Sequence, residues 1–130
     1  MSTHRNVTTI NRMTAAVFEN DRDTLANIFT EDLAFHVRGA LPRVGDHTGV
    51  DGFLGVLGTI FELTDGDVKI EQLSMFADDE WASEWEHAVL GRGDRTLDTR
   101  NVFIYRFDGD RIAEMWMINA EPAGAETFWD

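Results

Sequence analysis

The chain of 130 residues contains no cysteine, only two prolines, a single lysine (Lys69) and a single tyrosine (Tyr105). Without cysteine there is no disulfide framework and no thiolate chemistry. No window approaches the roughly 18 consecutive apolar residues that a membrane-spanning helix needs. Met1 to Asn11 lacks the apolar run of a signal peptide, so a cytoplasmic location is expected. Basic residues are scarce: 11 against 24 acidic ones, for a formal net charge of -13. That balance argues against nucleic acid, which demands clustered Lys and Arg, and against anionic membrane surfaces. The four histidines (His4, His36, His47 and His87) have no metal-ligand spacing, so no metal site is expected, and no cofactor motif is present.

What is present is a core. Apolar residues make up 43% of the chain and aromatic ones 11%, enough to fold despite the charge. The length fits one domain over residues 1–130. Val7 to Asn20 has apolar residues near helical spacing, and a short helix from Thr24 to Phe29 follows an Asp23 cap. Leu33 to Val37 alternates as a strand. Gly39 to Thr48 reads as a loop, and Val50 to Leu63 as a third helix with Phe53, Val56, Leu57, Ile60 and Phe61 as its stripe. Gly52, Gly55 and Gly58 lie on a second face of that helix and imply close packing. The remainder reads as strands: Val68 to Phe76, Trp81 to Leu90, Thr96 to Phe107 and Arg111 to Asn119, with Asp108-Gly109-Asp110 as a hairpin turn. Helices first and hairpin strands after predict an α+β fold: a cone-shaped αβ barrel with three N-terminal helices packed on a curved, mostly antiparallel sheet.

Strand alternation predicts the inner face. From the last two strands it takes Leu97, Thr99, Asn101, Phe103, Tyr105, Phe107, Met115, Met117 and Asn119. From the Trp81–Leu90 strand it takes Trp81, Ser83, Trp85, His87 and Val89, leaving Glu84 and Glu86 on a solvated or interface face. An apolar cavity with a few polar groups suits a small ligand. On this reading His87 is the general acid/base. His36 is a second catalytic candidate beside the glycine loop. Trp85, Asn101, Phe103, Tyr105, Met115, Met117, Asn119, Met13 and Phe35 are the substrate-binding candidates. Val102, Ile104, Ile112, Trp116 and Ile118 form an apolar patch on the outer face.

Several strings resemble the SnoaL-like branch of the nuclear transport factor 2-like superfamily. They are Phe29-Thr30-Glu31-Asp32-Leu33-Ala34-Phe35-His36-Val37, Gly49-Val50-Asp51-Gly52-Phe53, Arg95-Thr96-Leu97-Asp98, the run from Val102 to Trp116, and the terminal Phe128-Trp129. The resemblance implies the cone fold, a pocket and a homodimer through the convex sheet face. It also locates catalytic positions that this chain does not fill. The tyrosine position of ketosteroid isomerase falls on Met13, its base position on Val37 or neighbouring His36, and its protonated aspartate on Phe103. The last-strand aspartate of the SnoaL-type cyclases falls on Met117. Asp98 and Arg100 resemble part of the limonene epoxide hydrolase set but lie on the face opposite Phe103.

The resulting expectation is a cofactor-independent enzyme of isomerase, cyclase, dehydratase or epoxide-opening type. It would act on an apolar, polyketide- or terpenoid-like molecule. The alternatives are a non-catalytic carrier or sensor of an apolar metabolite, and a protein-interaction module.

Overall fold

A computed structural model describes residues 3–130. Helix α1 spans Arg5–Phe18; the His4 side chain accepts from the Asn6 backbone at its start. Ile10, Met13 and Ala16 recur at helical spacing and are buried. Helix α2, Arg22–Ile28, is capped by Asp21, whose carboxylate accepts from the Thr24 N–H. The cap is therefore Asp21 and not Asp23. Strand β1 (Phe29–Arg38) and strand β2 (Gly45–Thr48) form a hairpin where the sequence predicted a loop. Helix α3, Gly49–Leu63, buries Phe53, Val56 and Ile60. Of its glycines, Gly52 is the tight one: a Cβ there would sit 3.0 Å from the His47 Cβ.

Four long strands follow: β3 (Val68–Ala77), β4 (Trp81–Arg92), β5 (Arg95–Asp108) and β6 (Arg111–Asn119). A short helix α4, Ala125–Trp129, ends the chain and was not foreseen in the sequence. The six strands make one sheet in the order β2-β1-β6-β5-β4-β3. Only the β1–β6 pair is parallel. The helices cover one face, as an antiparallel sheet with segregated helices requires. Between them lies the main core, built on Ile10, Leu25, Phe29, Leu33, Phe35, Phe53, Tyr105 and Ile112 among others.

Register decides which side chains enter that core. Strands β4 and β5 meet in a two-residue hairpin loop, Gly93-Asp94, with Arg92 opposite Arg95. Stepping back from that pair sets Leu90 opposite Leu97, Ala88 opposite Thr99, Glu86 opposite Asn101, Glu84 opposite Phe103 and Ala82 opposite Tyr105. Residues directly opposite share a face of the sheet. Leu97, Thr99, Asn101, Phe103 and Tyr105 are all buried, so their β4 partners point inward with them. The predicted face of β4 is thus reversed: Trp81, Ser83, Trp85, His87 and Val89 lie on the convex side. A register shift between Arg106 and Phe107 also turns Ile112 inward, opposite Phe107, where it is fully buried rather than part of the outer patch.

Candidate functional site

The concave face of the sheet and the helices enclose a cavity of about 100 Å³. Its walls are Met13 and Val17 of α1, Phe53, Leu57 and Ile60 of α3, and Phe103, Tyr105, Met115 and Met117 of the sheet. Phe18 and Ile70, both exposed, mark the open edge. There Phe18 meets Phe61 edge-on, with ring centroids 5.7 Å apart. Ala88 on β4 also lines the cavity. Its small side chain leaves volume that a larger residue would fill, so the concavity is written into β4 itself.

Two carboxyls interrupt this apolar lining. Glu84 is 7% exposed, and Glu86 is partly buried two residues further along the same face. Glu84 accepts from the Tyr105 hydroxyl at 3.0 Å and from the Gln72 amide at 2.8 Å. Burial raises its pKa, against the pull of these two donors. Glu86 accepts only from the Asn101 amide, at 3.3 Å. Burial pushes its pKa up to about 7; Asn101 opposes the shift, and the neighbouring Glu84 charge adds to it. Among the described residues neither carboxyl has a basic partner within ion-pair distance, and no Arg, Lys or His lines the cavity. Tyr105 is fully buried. Burial, and then the adjacent Glu84, hold its pKa well above the ordinary value, so it stays a neutral donor.

Several residues singled out in the sequence lie on this wall: Met13, Asn101, Phe103, Tyr105, Met115 and Met117. Others do not. His87 is on the convex face, where its Nε2 is 2.8 Å from Asp98 and its Nδ1 is 3.8 Å from Glu71. His36 also faces outward, with Nδ1 2.7 Å from Asp46 and Nε2 2.8 Å from Glu114. Both were placed as pocket acids or bases, and the register removes both from the cavity. Trp85 is 43% exposed on the convex side. Phe35 is core, packed on Phe53 at a centroid distance of 5.2 Å. Asn119 lies behind the wall, donating to Thr99 and to the side-chain oxygen of Asn101. It orients Asn101, which in turn holds Glu86.

The two glutamates are what the sequence reading missed. Large outward tryptophans made the wrong face of β4 look like the inside. The signal that finds them is the hairpin loop, because its length fixes which residues oppose the unmistakably buried ones on β5.

Residues 10–115 match the family model of the SnoaL-like domain. The chain belongs to that family. A relative from Mycobacterium tuberculosis, the uncharacterised protein Rv0034, is 27% identical over 122 residues, covering 92% of each chain. Among solved structures, Bal32a from a soil-derived mobile gene cassette aligns with a TM-score of 0.86 at 24% identity over 97% of each chain. TerC, co-crystallised with polyporic acid, aligns at 0.81 and 12% identity over 98% of this chain and all of that one. IdmH from Streptomyces antibioticus, a candidate polyketide cyclase, aligns at 0.76 and 17% identity, covering 94% and 98%. These structures share the cone fold with this SnoaL-like domain.

Proposed function

We propose that this SnoaL-like domain is a cofactor-independent enzyme that transfers a proton to or from an apolar small molecule held in the cavity, with Glu86 as general acid/base. The observation that carries this reading is a carboxyl poised at about 7, beside Glu84, on a largely apolar wall. A group with its pKa near the working pH both gives and takes a proton efficiently. Glu84, with two donors of its own, is the more strongly held anion of the pair. The Tyr105 hydroxyl and one Asn101 amide hydrogen already go to the glutamates, while the buried Trp129 Nε1, also on the lining, has no partner among the described residues. The protonated Glu86 is the acid on this wall that would give a proton to a substrate oxygen. Dehydration, isomerisation and epoxide opening all use such a proton. The candidate polyketide cyclase role of IdmH and the apolar lining support an apolar, polyketide-like substrate class.

The test is turnover of a substrate found by screening apolar ketones, alcohols and epoxides. E86Q is expected to lower kcat by about 10²-fold or more, and H87Q on the convex face to leave it within about threefold. Full activity in E86Q overturns the assignment. A ligand that binds and is recovered unchanged favours the carrier reading instead.

A second reading concerns assembly. Phe76 (69% exposed), Trp81 (44%) and Trp85 (43%) stand on the convex face with Val102, Ile104 and Trp116. So much exposed aromatic surface favours a homodimer through that face. Light scattering on the purified protein is expected to give twice the chain mass, and W85E to shift it toward the monomer. A wild-type monomer at micromolar concentration would exclude this arrangement.

A further inference from the structure

We infer that the ligand of this cavity carries a basic nitrogen: an apolar amine, bound as its ammonium ion against Glu84 and Glu86. The inference rests on the reading of the cavity as a small-molecule site and adds the ligand's charge.

The cavity wall is one-sided in its charge: it carries two carboxyls and no Arg, Lys or His. Most donors on or beside it are committed: the Tyr105 hydroxyl and the Gln72 amide to Glu84, the Asn101 amide to Glu86, and the Thr14 hydroxyl to the Ile10 carbonyl; the buried Trp129 Nε1 has no partner among the described residues. What remains on the lining is that one neutral N–H and the acceptor capacity of two carboxyls. Glu86 uses one oxygen for Asn101 and has no other hydrogen-bond partner among the described residues. Each carboxylate oxygen has a second lone pair to offer.

The wall is also missing a charge. Buried carboxylates are ordinarily paired with a cation, because an uncompensated one is costly in an apolar setting. On the convex face of the same sheet the least exposed carboxylate of the ion pairs follows that rule. There the partly buried Glu114 lies 3.2 Å from Arg106 and 2.8 Å from His36. The concave face breaks it at the two places where a carboxyl meets empty volume. A ligand that brings its own positive charge completes the site. A carboxylate or phosphate ligand would meet two carboxyls and no cation. The Phe, Leu and Met walls then take the hydrocarbon body, which reaches from a space of about 100 Å³ toward the open edge at Phe18 and Ile70. An ammonium on the Glu84 side would leave Glu86 free to exchange a proton with the ligand's body.

The test compares three probes of one shape and different charge: benzylamine, benzyl alcohol and benzoate. Each is titrated calorimetrically into the full-length protein at pH 7. The amine is expected to bind about tenfold or more tightly than the alcohol, as a charge-assisted contact in a water-poor site should, and benzoate to bind least. In E84Q the amine's advantage should fall to near parity while benzyl alcohol still binds, which shows that the cavity has survived the substitution; E86Q should diminish it as well. The inference fails if the alcohol or benzoate matches the amine in the wild type. It also fails if the amine's advantage persists in both variants, because the acidic surface would then be its source. Binding of the alcohol alone overturns the amine and leaves the cavity reading standing. Binding of none of the three overturns both.

Discussion

The two faces of one sheet handle acidic side chains in opposite ways. On the convex face, His36 bridges Asp46 and Glu114, Arg106 joins Glu114, and His87 bridges Asp98 and Glu71. Solvent screens these groups, and each of those carboxylates has a positive or protonatable partner. On the concave face, Glu84 and Glu86 share an apolar cavity with neutral donors only. The difference shows in the direction of the pKa shifts. Hydrogen bonding to His36 lowers the pKa of Glu114, while burial raises those of Glu84 and Glu86. Paired charges hold a surface together. Unpaired ones in a cavity cost stability.

The contrast can be sharpened first at Glu86. Its folded pKa of about 7 stands above the usual 4.5, so its contribution to stability is intact below about pH 4.5 and is lost as the pH rises through 7. E86Q removes that loss. It should stabilise the protein at pH 8 by up to about 3 kcal/mol, and by little at pH 4, as read from denaturant midpoints. Equal effects at both pH values would mean that Glu86 is not held protonated by the fold.

Y105F breaks the contrast from the other side by removing a donor from Glu84. The buried carboxyl loses one of its two hydrogen bonds, and the expected cost is about 2 kcal/mol at pH 7, shrinking as Glu84 is protonated at lower pH. A neutral Y105F would show that water replaces the hydroxyl and that the cavity is wetter than its lining suggests.

The smallest effect is expected on the convex face. Desolvation works against the proton on His36, but hydrogen bonds to Asp46 and Glu114 outweigh it, and the pKa is raised above 6.5. The stabilisation it contributes is therefore present below pH 6.5 and lost as the pH climbs through the raised value. H36Q should cost about 1 kcal/mol at pH 6 and less at pH 8. The opposite trend would mean that the imidazole is held neutral between its carboxylates.

Much of the fold was legible because local patterns agreed with it. The α1 and α3 stripes, the alternation of β5 from Leu97 to Phe107, and the Asp108-Gly109-Asp110 turn all read correctly. The β1–β2 hairpin was harder to see, since Gly45–Thr48 is short and without an apolar pattern, and α4 is only five residues long. The site was half legible. Asn101, Phe103, Tyr105, Met115 and Met117 follow from parity on strands whose inside is plain. Glu84 and Glu86 do not, because β4 carries its bulk outward, as Trp81 and Trp85, and small or ionisable residues inward. Hydrophobicity assigns such a strand the wrong way round. A cavity inverts the usual pattern: the face that lines it must be small where space is needed and polar where chemistry is done. Only the pairing with β5 corrects the assignment.

The central claim is that Glu86 is a half-protonated carboxyl at neutral pH, on the inside of the cone. Carbon-13 NMR of the side-chain carboxyl of Glu86, assigned by its disappearance in E86Q and followed from pH 4 to 9, tests this directly. The account predicts a titration midpoint near 7, well separated from the exposed glutamates. A midpoint near 4.5, indistinguishable from the surface carboxylates, would contradict it.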